Sequence, residues 1–223
     1  MKLTSTVLAL ALVAAAPAFA QDASTPPGTQ PASGLQPNIG HLDVRLAASS
    51  NVYLSYVGLS ANADYALLPL GPFNVTVGGE VSYDTCFLLC AAYALLYNEG
   101  VSDTAITPAA RATIHFPLGG LTQQPVDVYL LLNAGLLFAN HSTTELNGLY
   151  SWKGSAVGPA FGGGFGGNYF WGNFFFTGTE ITVQWSAYQY TAQFTSGNGT
   201  VQTEELAGGG TKLKVQVFLG LRF

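Results

Sequence analysis

The sequence has few charged residues. Charged side chains make up 9% of the 223 residues, whereas a typical soluble domain has about 25%. The seven Lys and Arg residues leave a formal net charge of −5. Such a low charge density is unusual for a surface that faces water on all sides. The few, scattered basic residues also argue against a nucleic-acid-binding surface.

Long apolar runs are also rare. Apart from the N-terminal segment, no uninterrupted apolar stretch reaches the roughly 18 to 20 residues that a transmembrane helix requires. If the chain enters a membrane, we therefore expect it to span with strands rather than with helices.

Cysteine is limited to Cys86 and Cys90. In an extended strand, residues at this spacing lie too far apart for a disulfide, so a bond between them requires a turn or a helical turn. A disulfide fits an exported chain in an oxidising compartment, and two unpaired thiols are the alternative. No His or further Cys lies nearby, so neither a metal site nor a cofactor is predicted.

The N-terminus has the pattern of a secretory signal. Lys2 precedes an apolar run from Val7, and the segment ends with the small-x-small motif of residues 18–20. We predict a signal peptide at 1–20, with a membrane anchor as the alternative. Residues 21–38 are rich in Pro, Ser, Thr and Gln, which predicts a disordered leader. The folded domain is then 39–223.

From Ile39 onward the hydrophobic pattern has a period of two, which is typical of β-strands. Most of the segments reach the roughly 9 to 11 residues that a tilted membrane strand needs. The eight predicted strands are 40–49, 52–68, 73–84, 105–116, 126–139, 156–170, 173–190 and 210–223.

The two faces of these strands differ in chemistry. One face carries no charge and includes Leu42, Val44, Leu46, Leu59, Val77, Val81, Ile114, Leu130, Leu132, Phe161, Phe165, Val183 and Trp185. The other face is polar and includes Asp43, Arg45, Asn62, Asp64, Glu80, Arg111, His115, Asn133, Glu180, Gln184, Lys212, Lys214 and Arg222.

Period alone does not say which face points outward, because a soluble barrel would turn its polar face to water. The long apolar faces, the aromatic residues near strand ends and the export signal favour lipid outside. An open sheet leaves unpaired backbone groups in lipid, so the sheet must close. We predict an all-β fold, a closed antiparallel eight-stranded transmembrane β-barrel. If 86–100 forms strands, the count rises to ten.

The connections alternate in length. Residues 69–72, 117–125 and 171–172 are short connections, whereas 85–104, 140–155 and 191–209 are longer. This alternation predicts short periplasmic turns, long outer loops and termini in the periplasm. The predicted outer loops are mostly acidic, with Asp84, Glu99, Asp103, Glu145, Glu204 and Glu205 against Lys153.

The last strand, KLKVQVFLGLRF, alternates polar and apolar residues and ends on Phe223. With Leu219 and Leu221 on the same face, it resembles the assembly signal of bacterial outer-membrane β-barrel proteins. The pattern of 39–223 is similar to small barrels such as outer membrane proteins A and X. This resemblance implies a bacterial outer-membrane location, contact with outer-membrane lipid and recognition by the barrel assembly machinery.

Charged residues on the inner face would have to pair, since an unpaired buried charge is costly. We predict a plug, a lumen ionic network of Asp43, Arg45, Asp64, Glu80, Arg111, Glu180, Lys212, Lys214 and Arg222. A narrow, weakly selective ion path lined by the same charges is the alternative. The glycines within 158–168 are predicted to leave room for Tyr129 or Leu131 of the neighbouring strand.

Two further segments are candidates for activity. The apolar stretch 86–100 predicts a helical cap, a surface on lipid or a partner-binding patch. His141 and Ser142 are adjacent, so in an extended chain they point to opposite sides, which is poor geometry for catalysis. We therefore predict no catalytic residues and a structural or surface-interaction role through the outer loops, whose partner is unknown. A lipid-modifying enzyme is the third hypothesis.

Overall fold

The computed structural model describes residues 40–51, 55–70, 73–97, 99–117, 126–145 and 150–223. The predicted signal peptide at 1–20 and the leader at 21–38 lie outside these residues. The described strands are β1 (Leu42–Asn51), β2 (Tyr56–Leu70), β3 (Phe73–Cys86), β4 (Glu99–Pro117), β5 (Val126–Glu145), β6 (Tyr150–Phe170), β7 (Phe175–Ser196) and β8 (Val201–Arg222).

The strands form a closed barrel. Each strand pairs antiparallel with the next, and β1 pairs with β8, so that Asp43 lies opposite Arg222. Across the described residues this gives eight strands, which confirms the predicted fold class. The ten-stranded alternative is wrong because Leu88–Tyr97 forms a helix, which we call α1.

The alternation of side chains separates the two surfaces as predicted. On β1, the Arg45 side chain is buried inside the barrel whereas Leu46 is 59% exposed on the outside. The same contrast recurs around the barrel, and Leu132 on β5 is 69% exposed. The inside is therefore charged and packed, and the outside carries a broad apolar surface. Among the described residues, no helix combines the length and the hydropathy needed to cross a membrane.

The two ends of the barrel differ. The terminal end holds the start of β1, the end of β8 and the connections 71–72, 118–125 and 171–174. At the opposite end, which we call the extended end, β4 to β8 continue well beyond β1 to β3.

The prediction of long loops at the extended end is wrong. Residues 99–104, 140–145, 150–155, 191–196 and 201–209 continue the strands. Within the three predicted loops, the connections are reduced to 87–98, 146–149 and 197–200. The hydrophobic pattern fades there because outward positions become polar, as with Asn140, Ser142 and Gln193. The backbones of β5, β6 and β7 nevertheless remain paired through this region. Asp84, predicted in a loop, instead lies inside the barrel on β3.

Cys86 and Cys90 form a disulfide with a Cα–Cα distance of 5.7 Å. β3 ends at Cys86, and the first turn of α1 brings Cys90 back to it. The helix therefore supplies the turn that the spacing of the two cysteines requires. Phe87 N also donates a hydrogen bond to Ser55 O (2.8 Å), which fixes the strand end to β2.

The outward apolar surface leads to a first prediction. Leu132→Arg should lower the free energy of unfolding in lipid vesicles by about 2 to 4 kcal/mol, because it places a cation near the centre of the apolar surface. Asn140→Arg is the matched control, since Asn140 points outward on the same strand but within the polar extension. Denaturant unfolding of the two variants measures the difference, and equal values would contradict the orientation.

Candidate functional site in the barrel lumen

The predicted ionic residues lie inside the barrel in three groups along its axis. Arg222 and Asp43 pair at the terminal end, and Lys212 and Lys214 face Asp84 toward the extended end. The central group contains Arg45, Asp64, Glu80, Arg111 and Glu180. The structure thus brings the predicted residues together as separate clusters, with Glu80 linking two of them.

Arg111 is the centre of the middle cluster. Its Nη1 and Nη2 atoms donate to the two carboxylate oxygens of Glu180, at 3.1 and 2.5 Å. Nε donates to Asp64 (3.2 Å), and Nη1 also donates to Glu80 (3.3 Å). One guanidinium therefore joins carboxylates from β2, β3 and β7, in the bidentate geometry that makes such pairs strong.

Arg45 extends this cluster through both charge and aromatic contacts. Its Nη2 lies 3.2 Å from Asp64 Oδ2, and its Nη1 donates to Tyr129 Oη (3.1 Å). Tyr129 Oη in turn donates to Glu180 (2.9 Å). The Arg45 guanidinium also lies 5.1, 5.6 and 5.2 Å from the rings of Tyr129, Phe176 and Phe218. These distances are within cation–π range.

The outer clusters are simpler. At the terminal end, Arg222 donates two hydrogen bonds of 2.8 Å to Asp43 and lies 4.3 Å from the Phe170 ring. Toward the extended end, Lys212 is 3.2 Å from Asp84 and Lys214 is 3.7 Å from it. Lys214 also lies 4.0 Å from Glu80, which connects this pair to the central cluster.

Inward aromatic rings fill the lumen over glycines of the neighbouring strand. Tyr129 lies across Gly166, Phe176 across Gly220 and Phe218 across Gly178, and each pair is directly opposite in register. A Cβ atom on any of these glycines would overlap the ring. Of the two residues predicted to cover the glycine run, Tyr129 is the one that lies over Gly166.

The sequence analysis missed several members of this site. Phe170, Phe176 and Phe218 occupy the inner face, although aromatic residues near strand ends favoured the lipid side. Asp84 and Asp127 also belong to the lumen. The alternation of side chains could have assigned all five, because each lies an even number of residues from a position predicted to face inward on the same strand.

A further polar cluster, centred on His115, also lies toward the terminal end. Thr113 Oγ1 is 2.8 Å from His115 Nε2, and His115 Nδ1 is 2.5 Å from Asp127 Oδ2. Asn168 Nδ2 donates to the same carboxylate oxygen (3.1 Å). This order of hydroxyl, imidazole and carboxylate matches a nucleophile–base–carboxylate triad. Thr113, His115 and Asp127 are all buried, so the cluster contributes to the packing of the lumen.

His141 belongs to an aromatic group inside the extended end. Its ring centroid lies 4.2 Å from that of Trp152, which is 5.2 Å from Tyr190. His141 Nε2 is 2.9 Å from Thr143 Oγ1, on the same side of the strand. Burial lowers the pKa of His141, and the Asp103 carboxylate opposes that shift. Burial, followed by a hydrogen bond to Asp103, raises the pKa of Tyr56.

A small cavity lies beside these clusters. A cavity of about 10 Å³ lies between Glu80, Thr107, Asn133, Gln184 and Lys214. That volume is about what a single water molecule needs. No group of His, Cys, Asp and Glu within the described residues has an arrangement that could hold a metal ion.

Comparison with known proteins identifies the fold. The chain is similar to a major outer membrane protein from Thermus thermophilus, with 14% identity over 83% of this chain and 100% of that chain, and a TM-score of 0.61. OprG from Pseudomonas aeruginosa matches at 12% identity over 85% and 98% of the two chains (TM-score 0.48). Ail from Yersinia pestis matches at 11% identity over 83% and 100% (TM-score 0.45).

The protein therefore has the fold of the small eight-stranded outer-membrane barrels, as its resemblance to that family predicted. A comparison with protein-family models finds no match, and neither does a comparison with the sequences of curated proteins.

The ring-over-glycine packing yields a second prediction. Gly220→Ala should lower the free energy of unfolding by about 1 to 3 kcal/mol, because its methyl group would displace the Phe176 ring. Gly167→Ala is the control, since a Cβ there meets its nearest neighbour at an ordinary 3.6 Å. Denaturant unfolding in lipid vesicles compares them, and a loss confined to Gly167→Ala would contradict the packing.

The environment of His141 yields a third prediction. NMR titration of its imidazole should give a midpoint below the ordinary value of about 6.5, since burial disfavours the charged ring. The stability that this neutral ring contributes should be complete above about pH 6.5 and should fall as the pH drops below it. His141→Gln removes the signal and assigns it, and a midpoint at or above about 6.5 would contradict the burial.

Proposed function

We propose that the protein is an integral barrel of the bacterial outer membrane whose lumen is plugged by charge, with a structural role in the envelope. In this role the barrel anchors the chain in lipid and positions the extensions of β4 to β8 beyond the bilayer. These strand extensions form the surface available to a partner, where the sequence had predicted loops.

The observation that carries the plug is the Arg111 cluster. Arg111 joins Glu180, Asp64 and Glu80, and the side chains of all four residues are buried. An ion that passes would have to separate contacts that cross the barrel from β2 and β3 to β7. Separation would leave buried charges without partners, which costs several kcal/mol.

The aromatic layer next to this cluster supports the same conclusion. Tyr129, Phe176 and Phe218 surround Arg45 on the terminal side. Barrels of eight strands have an interior just wide enough to be filled by side chains. The ionic contacts and the ring packing would then block the lumen together. The small volume of the neighbouring cavity agrees with this.

The orientation of the barrel is part of the proposal. The connections at the terminal end are short, and outer-membrane barrels have short turns on the periplasmic side. We therefore place the termini in the periplasm and the extended end outside the cell. Leu219 and Phe223 are exposed on the outer face of the last strand, where the assembly machinery could recognise them together with Leu221.

A narrow channel is the second candidate, and one observation favours it. The lumen on the extended side of Arg111 is polar, and Thr107 Oγ1 and Gln216 Oε1 have no hydrogen-bond partner among the described residues beside the small cavity. Such atoms are suited to water. In a channel these two atoms would line the water path on the extended side of Arg111.

Conductance in planar lipid bilayers tests the plug and is the fourth prediction. The unmodified protein should show no stable open state. Arg111→Ala combined with Glu180→Ala removes opposite charges from the constriction and should produce open events. Lys212→Ala combined with Asp84→Ala is the control, because that pair lies nearer the mouth and its loss should leave the bilayer silent. Steady conductance by the unmodified protein would reject the plug in favour of the channel.

A further inference from the structure

Helix α1 has an unusual surface for a segment outside the barrel. Its sequence, LLCAAYALLY, has no charged residue, and its only polar side-chain groups are the hydroxyls of Tyr93 and Tyr97. Leu95 is 86% exposed, Leu96 75% and Tyr97 63%. A helix that is apolar on all sides is normally buried in protein or in a membrane, and a contiguous apolar patch of this kind marks an interaction site.

The contacts of the helix exclude a cap over the barrel mouth. Its main packing partner is the adjacent strand β4, and the strands on the far side of the barrel do not pack extensively on it. Of its ten residues only Cys90 is buried. Since a cap would cover its apolar side chains with the inner wall of the extended end, α1 does not close the barrel mouth.

The position of the helix relative to the apolar surface points to lipid as its partner. Tyr83 is the last outward aromatic residue on β3, and the strand ends three residues later at Cys86. At about 3.4 Å per residue and a tilt of roughly 40°, β3 ends about 8 Å above Tyr83, and the disulfide holds the first turn of α1 to that strand end. The headgroup layer beyond the hydrocarbon core is about 5 to 8 Å thick, so the first turn of the helix is tied to the outer edge of that layer.

Local chemistry agrees with this position. Tyr93 and Tyr97 pack against each other with ring centroids 5.3 Å apart, and tyrosine is enriched at membrane interfaces because it has an apolar ring and a polar hydroxyl. The disulfide holds the first helical turn to the end of β3. Asp84, the nearest preceding acid, points into the lumen toward Lys212 and Lys214, so it adds no charge to the outer surface here.

We propose that α1 lies in the headgroup region of the leaflet at the extended end and anchors the short β1–β3 side of the barrel to the lipid. A second copy of the chain is a poorer fit. A ten-residue helix is about 15 Å long and about 10 Å wide, so its exposed face is far smaller than the roughly 800 Å² that each partner buries in a stable complex. This inference rests on the proposed membrane location.

Tryptophan quenching in vesicles of bromine-labelled phosphatidylcholine tests the proposal. Leu95→Trp places a reporter on the most exposed part of α1, and Gln193→Trp places one on the outer face of the polar extension. Leu132→Trp reports from the apolar surface of the barrel. Emission from the three native tryptophans is measured on the unmodified protein and subtracted. Iodide serves as the quencher in water.

The Leu95 reporter should be quenched by the lipid several-fold more strongly than the Gln193 reporter, and less by iodide. Iodide quenching equal to that at Gln193 would overturn the proposal by placing the helix in water. The Leu95 reporter could instead be protected from both quenchers and lose this protection when the protein is diluted in lipid. That result would overturn the proposal and indicate that a second copy of the chain covers the helix. If the Leu132 reporter also escapes lipid quenching, the membrane location itself fails, which separates that failure from a misplaced helix.

Discussion

The pairing of buried charges is the constraint on which the structure depends. A barrel whose outer surface is apolar must place its charged residues inside, where an unpaired charge is costly. Arg111 meets this requirement by joining Glu180, Asp64 and Glu80 from three strands. The contacts that neutralise these side chains also tie distant strands together, so the interior stabilises the closed sheet as well as blocking it.

The aromatic rings around Arg45 fit into the narrow lumen because they pack over glycines. Arg45 needs aromatic neighbours at cation–π distance, yet the lumen is narrow. Tyr129, Phe176 and Phe218 fit because each lies over a glycine directly opposite on the next strand. These three glycines therefore support the charge network, since a larger residue at any of them would push the rings away from Arg45. Electrostatics and steric fit cannot be separated in this interior.

The barrel is also asymmetric about its axis, and this bears on its surroundings. On one side β4 to β8 continue as a polar wall, whereas β1 to β3 end close to the apolar surface and are followed by the exposed helix α1. Polar outward residues such as Gln193 suit water, and the leucines of α1 do not. The protein thus presents two different surfaces at its extended end, one suited to a soluble partner and one to lipid.

Side-chain alternation along the chain was enough to predict a closed barrel and its two faces, because it reports which residues share a surface. The count of eight strands was settled by the fold, in which Leu88–Tyr97 is a helix and not a further pair of strands. Alternation also grouped the lumen charges, since every ionised strand residue had to avoid lipid. Tertiary structure decided the partners: Arg111 meets Glu180 across the barrel at a sequence separation that no local pattern encodes. It decided the strand extensions as well, because backbone pairing between neighbours persists where both faces meet water and hydrophobic alternation no longer marks the strand.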